Sequence, residues 1–163
     1  MLVDALRAGG ISRIRGSADK TAVLRSIVDI VPLPPDVDRE SVAQMLLERE
    51  HAGSTAIGKG IAVPHLRTPV LLSDPGHLIS LYLLERPIDF GAFDGQPVFA
   101  VFLIISATVR SYLELLSQLS FALGDARLKA TLFRRAPSAD IIAEFKRVES
   151  AIKRRQKASP SDQ

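Results

Sequence analysis

The sequence predicts an α/β fold: one layered domain in which a mixed β-sheet carries helices on both faces. Two runs, residues 77–84 and 98–105, are apolar at almost every position. Strands of that kind are buried on both sides and need helices above and below. Apolar residues at helical spacing precede and follow these runs. The chain of 163 residues, 47% hydrophobic and 24% charged, is also ordinary for one domain with a sizeable core.

Taken in order, Ser17 is a candidate cap for a helix through Lys20, Val23, Leu24, Ile27 and Ile30, which Pro32, Pro34 and Pro35 terminate. Asp38 can cap a second helix with Val42, Met45 and Leu46 on one face, ending near residues 51–53. Residues 53–60 are small and glycine-rich and read as a loop; residues 61–63 then form a short strand that runs straight into Pro64 and His65. The long strand 77–84, a turn at Phe93-Asp94-Gly95, and the strand 98–105 follow. Helical spacing resumes over residues 111–123, is stopped by Gly124, and returns from Ser138 with Ile141, Phe145, Val148 and Ile152. The domain is expected to occupy residues 1–157, with residues 158–163 a disordered tail. Two helices, a sheet, then two or three helices make a single layered unit.

Composition excludes several functions. The longest apolar run, residues 98–105, is far short of the roughly 20 residues of a spanning helix. The N-terminus lacks the basic-then-apolar order of a secretory signal, so the expectation is cytoplasmic with no membrane insertion. There is no cysteine, hence no disulfide, thiolate nucleophile or cysteine metal site. The net charge of +3 is modest, and Lys153, Arg154, Arg155 and Lys157 read as the cationic end of a last helix. No aromatic residues interleave with them, so nucleic acid is not an expected partner.

With three histidines, each can be weighed. His51 sits at a predicted helix end, where a polar side chain needs no special reason. His77 follows Asp74-Pro75-Gly76 and reads as a solvated residue at the start of a strand. His65 follows a proline, ends a strand and exits a glycine-rich loop, the kind of place where a scaffold presents chemistry. The scattered histidines lack metal-ligand spacing, so a metal hydrolase is disfavoured and neither metal nor cofactor is called for.

The string from Glu48 to His65, ERE-HAGSTAIGKGIAVPH, resembles the active-site signature of the mannitol/fructose/nitrogen (type 2) class of IIA components of the bacterial phosphotransferase system. Ile88-Asp89-Phe90, the stretch 94–98 and the helix 113–123 extend the likeness over about nine-tenths of the chain. The resemblance implies a phosphohistidine carrier. It would take phosphate on Nε2 of His65 from an HPr-like protein, then pass it to a IIB domain or hold it as a signal for a regulated protein. Histidine suits the task as a neutral nucleophile near neutral pH. Arg49 can supply a forked cation, and the Ser54 and Thr55 hydroxyls can donate to phosphate oxygens. Equally, Arg49 can pair with Glu48 or Glu50, and Thr55 can be a turn residue. Arg67, two residues past the histidine, is a further phosphate-binding candidate. Members of the class often carry a second histidine where this chain has Tyr112, a hydroxyl donor and not a cation near pH 7. The other reading is a binding module on the same fold, whose phosphorylation state gates a protein partner with little transport flux.

Overall fold

A computed structural model describes residues 1–66 and 76–159. The chain runs α1 (Leu2–Gly9), β1 (Ile11–Ile14), α2 (Lys20–Ile30), α3 (Arg39–Ala52), β2 (Ala56–Gly58), β3 (Ile61–Ala62), β4 (His77–Ile88), β5 (Val98–Ser106), α4 (Val109–Ala122), α5 (Ala126–Phe133) and α6 (Ser138–Ala158). The five strands form one sheet in the order β1-β4-β5-β3-β2. It is mixed, as expected: β1/β4 and β3/β5 are parallel, while β4/β5 and β2/β3 are antiparallel.

The pleat sorts the central strands into two cores. Ile79, Leu81 and Leu83 of β4, with Ala100, Phe102 and Ile104 of β5, pack under α1, α4, α5 and α6. Leu78, Tyr82 and Leu84, with Val101, Leu103 and Ile105, pack under α2 and α3. All nine residues of β5 are buried. Full burial of a Leu, Ile or Phe side chain is worth about 1.5–3 kcal/mol, so this double layer holds the sheet between its helices.

Several expectations are corrected. The cap of α2 is Asp19, not Ser17: its carboxylate accepts from the Ala22 N–H at 2.8 Å, a better fit to a helix whose first turn begins at Lys20. Strand β4 continues past Leu84 to Ile88. Residues 56–58, read as loop, form β2, an edge strand folded back on β3. Helix α4 starts at Val109, two residues early, because the Thr108 hydroxyl accepts from the Ser111 N–H. The N-terminal α1 and β1 were not anticipated. They dock tightly, with Gly9 so close to β4 that a Cβ there would lie 2.0 Å from the Ile79 carbonyl oxygen. Ala158, assigned to the tail, is still helical. His77 is half-buried and pairs with Ser106 as the first residue of β4.

Candidate functional site

His65 lies where β3 runs out alongside β5. Its backbone forms an isolated parallel bridge with Ile104, and the Ile104 N–H donates to the Pro64 carbonyl at 3.2 Å. The imidazole is thus carried at the carboxyl ends of β3 and β5, against the first turns of α4. The ring is held from two sides. Nδ1 stands 3.3 Å from the Val63 carbonyl oxygen, and the Arg49 Nε–H donates to Nε2 at 3.3 Å. An arginine N–H can only donate, so Nε2 must present its lone pair and Nδ1 must carry the hydrogen that the carbonyl accepts. The geometry therefore selects one neutral tautomer, with Nε2 as the nucleophilic atom.

Arg49 sits in the last turn of α3, and its Nη1–H donates to the Gly53 carbonyl at 2.9 Å. The guanidinium is tied to the loop it overhangs. It makes no ion pair with Glu48 or Glu50, so the alternative of a local salt bridge does not describe it. Tyr112, on the first turns of α4, brings its ring centre 5.0 Å from that of His65, tilted by 34°. The ring is half-buried against the four-helix core. Burial raises the Tyr112 pKa against the opposing pull of Arg49, so the phenol keeps its proton at neutral pH. The site thus gathers His65, Arg49 and Tyr112 from three separate elements.

Ser54 and Thr55 stand close by, but their hydroxyl hydrogens are used inside the fold. Ser54 Oγ donates to the Phe90 carbonyl at 2.6 Å and accepts from the Ala56 N–H. Thr55 is buried, and its hydroxyl donates to Glu50 at 2.6 Å. Either would have to release its bond to serve a phosphate. Arg67 lies outside the described residues. His51 is exposed, lining with Lys20, Thr21 and Leu24 a groove of about 560 Å³ between α2 and α3.

Glu50 and Lys20 were not singled out. The Glu50 side chain is only 4% exposed and accepts from Lys20 Nζ at 3.0 Å and from the Thr55 N–H at 3.1 Å. Lys20 Nζ also donates to the Phe90 carbonyl at 3.0 Å and stands over the Phe90 ring. A signal was available. Glu50 continues the buried stripe of Val42 and Leu46 at helical spacing, and Lys20 precedes Leu24 and Ile27 on the stripe of the facing helix. Opposite charges on two facing apolar stripes indicate an internal pair.

Among the described residues no helix is long and apolar enough to cross a membrane, and no group of three or more His, Cys, Asp or Glu side chains is placed to hold a metal ion.

Comparison with known proteins is consistent with this geometry. A nitrogen regulatory protein from Pseudomonas aeruginosa is 38% identical over 130 residues, covering 77% of this chain and 81% of that protein. The fructose-specific EIIABC component of the phosphotransferase system from Bacillus subtilis is 30% identical over 132 residues, 79% of this chain and 20% of that longer protein. Among solved structures, the nitrogen regulatory protein IIA-Ntr from Neisseria meningitidis superposes with a TM-score of 0.72 at 20% identity, covering 88% of this chain and 97% of that one, a likeness of fold. Residues 7–148 match the family described as phosphoenolpyruvate-dependent sugar phosphotransferase system, EIIA 2. Because that match spans both helical layers and the strand end bearing His65, the chain belongs to the EIIA 2 family, whose members pass phosphoryl groups by way of a histidine.

Proposed function

We propose that His65 is the phosphoryl-carrying residue, with Nε2 as the atom that takes the group. The observation that carries this reading is the paired hold on the ring, Val63 carbonyl on Nδ1 and Arg49 on Nε2. As the donor approaches, the Nε2 lone pair attacks phosphorus in line with the breaking N–P bond of the donor's phosphohistidine. That bonding pair returns to the donor nitrogen. With the donor ring protonated on its other nitrogen, the leaving imidazole departs neutral and no proton crosses the interface. His65 becomes the positively charged phosphorylated ring, its Nδ1–H still on the Val63 carbonyl. Arg49 lies beside Nε2; its Nε–H yields the lone pair to phosphorus as the bond forms, and the guanidinium then has only a short shift to make to meet the equatorial oxygens, whose charge is the chief demand of phosphoryl transfer. Tyr112, whose ring centre lies 5.0 Å from that of His65, brings a second candidate donor in its hydroxyl.

The donor is an HPr-like phosphocarrier, the setting is the cytoplasm, and the acceptor is a IIB domain or a regulated protein. A regulatory acceptor is favoured by one feature of the site: Tyr112 supplies a neutral hydroxyl beside His65, where a second cation would suit rapid onward transfer. The resemblance to a protein named as a nitrogen regulator points the same way.

Incubation with phosphoenolpyruvate, enzyme I and HPr, followed by mapping of acid-labile phosphate, tests the assignment. His65→Ala is expected to abolish labelling, while His51→Ala and His77→Ala keep most of it. Label that persists in the His65 variant removes His65 from its role.

A further inference from the structure

We infer that Glu50 is a positioning residue for His65, acting through Thr55 and Val63 to set which imidazole nitrogen carries the hydrogen and which reacts. This rests on the phosphohistidine reading above and extends it to a residue that touches neither the imidazole nor Arg49's guanidinium.

The chain of contacts is continuous. Glu50 accepts from both the Thr55 N–H, at 3.1 Å, and the Thr55 hydroxyl, at 2.6 Å. The Thr55 carbonyl accepts from the Val63 N–H at 2.9 Å. The Val63 carbonyl then stands 3.3 Å from His65 Nδ1. Each bond anchors the residue that offers the next one, so the acceptor facing Nδ1 is positioned from the buried carboxylate outward. Lys20 closes the arrangement: it neutralises Glu50 and shares the Phe90 carbonyl with Ser54. The segment between Glu50 and Thr55 is thereby clamped to α2 and to the turn after β4.

A buried carboxylate with this many donors is too costly to leave unpaired, so its geometry is strongly determined. Local turn formation does not account for it. Residues 53–55 are already turned by the Gly53 N–H on the Glu50 carbonyl and the Ala56 N–H on Ser54 Oγ, whereas the Glu50 carboxylate takes both donors of one residue, Thr55, just before β2. Supporting contacts behind metal-ligating histidines orient the ring and fix its tautomer, and their loss costs roughly 10- to 100-fold in function; the Glu50–Thr55–Val63 chain supports His65 in the same way through two intervening residues.

The test reads the tautomer directly, in unphosphorylated protein without any phosphoryl donor. Two-bond proton–nitrogen correlation spectra of the imidazoles, assigned with His65→Ala, are recorded for wild type, Glu50→Gln, Thr55→Val and Thr55→Ser. In wild type the Nδ1–H form of His65 is expected to predominate. In Glu50→Gln and Thr55→Val the Nε2–H form should rise to a comparable population. The rate constant for phosphorylation at saturating HPr should then fall about tenfold, with the donor's KM little changed. Thr55→Ser, which keeps the hydroxyl, should restore both readings.

Folded Glu50→Gln and Thr55→Val proteins with the wild-type tautomer and rate overturn the inference. If Glu50→Gln fails to fold, Thr55→Val decides by the same spectra, since it leaves the Glu50–Lys20 pair intact. A merely structural role would lower the melting temperature without moving the tautomer, and that result also overturns it. A wild-type protein that takes no label removes the phosphohistidine reading instead, and the tautomer spectra still judge the link from Glu50 to His65.

Discussion

Glu50 and Glu149 are both nearly sealed from solvent, with side chains 4% and 12% exposed, yet they serve different ends. Glu50 gathers donors from Thr55, five residues away, and from Lys20 on the neighbouring helix. Glu149, on α6, accepts from the Leu2 N–H and the Met1 ammonium, both at 2.8 Å, across almost the whole chain. The first arrangement is compact and leads to His65 through Thr55 and Val63. The second joins the first and last helices and lies in the opposite helical layer from α3. Burial alone therefore does not mark a carboxylate as part of a site. What marks it is where its bonds lead: from Glu50 they run to a reactive ring, and from Glu149 to an unpaired backbone N–H at a helix start, which it satisfies.

The sharpest way to break this contrast is at Arg49, the residue beside Glu50. Arg49→Ala is expected to slow phosphoryl transfer about 100- to 1000-fold, the usual cost of losing one preorganised donor to a transition-state charge. Its melting temperature should stay near wild type, because the lost bond to Gly53 is exposed and that to His65 only part-buried. A large drop in melting temperature with unchanged transfer would place Arg49 with the scaffold.

Glu149→Gln should do the reverse. It is expected to lower unfolding stability by about 1–3 kcal/mol and leave the transfer rate as it was. The effect carries a pH signature. Burial pushes the Glu149 pKa up, but the bonds from the N-terminal ammonium and the Leu2 N–H outweigh it, so the group titrates below the ordinary glutamate range. A depressed folded pKa means stability that is fully present above the unfolded value and is lost as pH falls through the folded one. The gap between wild type and Glu149→Gln in urea melts should thus be widest near neutral pH and shrink under acid. A gap that stays constant down to pH 3 contradicts the ion-pair account.

The smallest effect is expected at Tyr112. Tyr112→Phe removes one donor and keeps the ring on His65, a loss of about 0.5–1.5 kcal/mol, or roughly two- to tenfold in transfer rate or phosphohistidine lifetime. Equal rates and lifetimes in the two proteins would show that the ring packs there and the hydroxyl does nothing.

Much of this was legible in the sequence, and the exceptions have physical reasons. The two-sided apolar runs announced a covered sheet, and Asp38 announced its helix, because both signals are local. Helix α1 and strand β1 escaped because the pair is short and polar Ser12 and Arg13 interrupt the strand; its reality depends on pairing with residues 81–84, far along the chain. In the site, His65 stood out by its place at a strand end after a glycine-rich loop, while Arg49 and Tyr112 came from the resemblance to the IIA class. The direction of the Thr55 hydroxyl could not, since it is set by a carboxylate that Lys20 holds from another helix. Donor direction is a tertiary property, and residue type alone does not encode it.

Strand β5, buried along its whole length, has a consequence on the timescale of descent. A polar replacement at any position of 98–106 would need a new internal partner at once, because no side of the strand faces water. Neutral drift is therefore barred from the middle of the molecule and diverted to the outward faces of the helices and to the turns. Lineages carrying this architecture are thus expected to exchange exterior residues more freely than those of the strand that aligns β3, and through it His65.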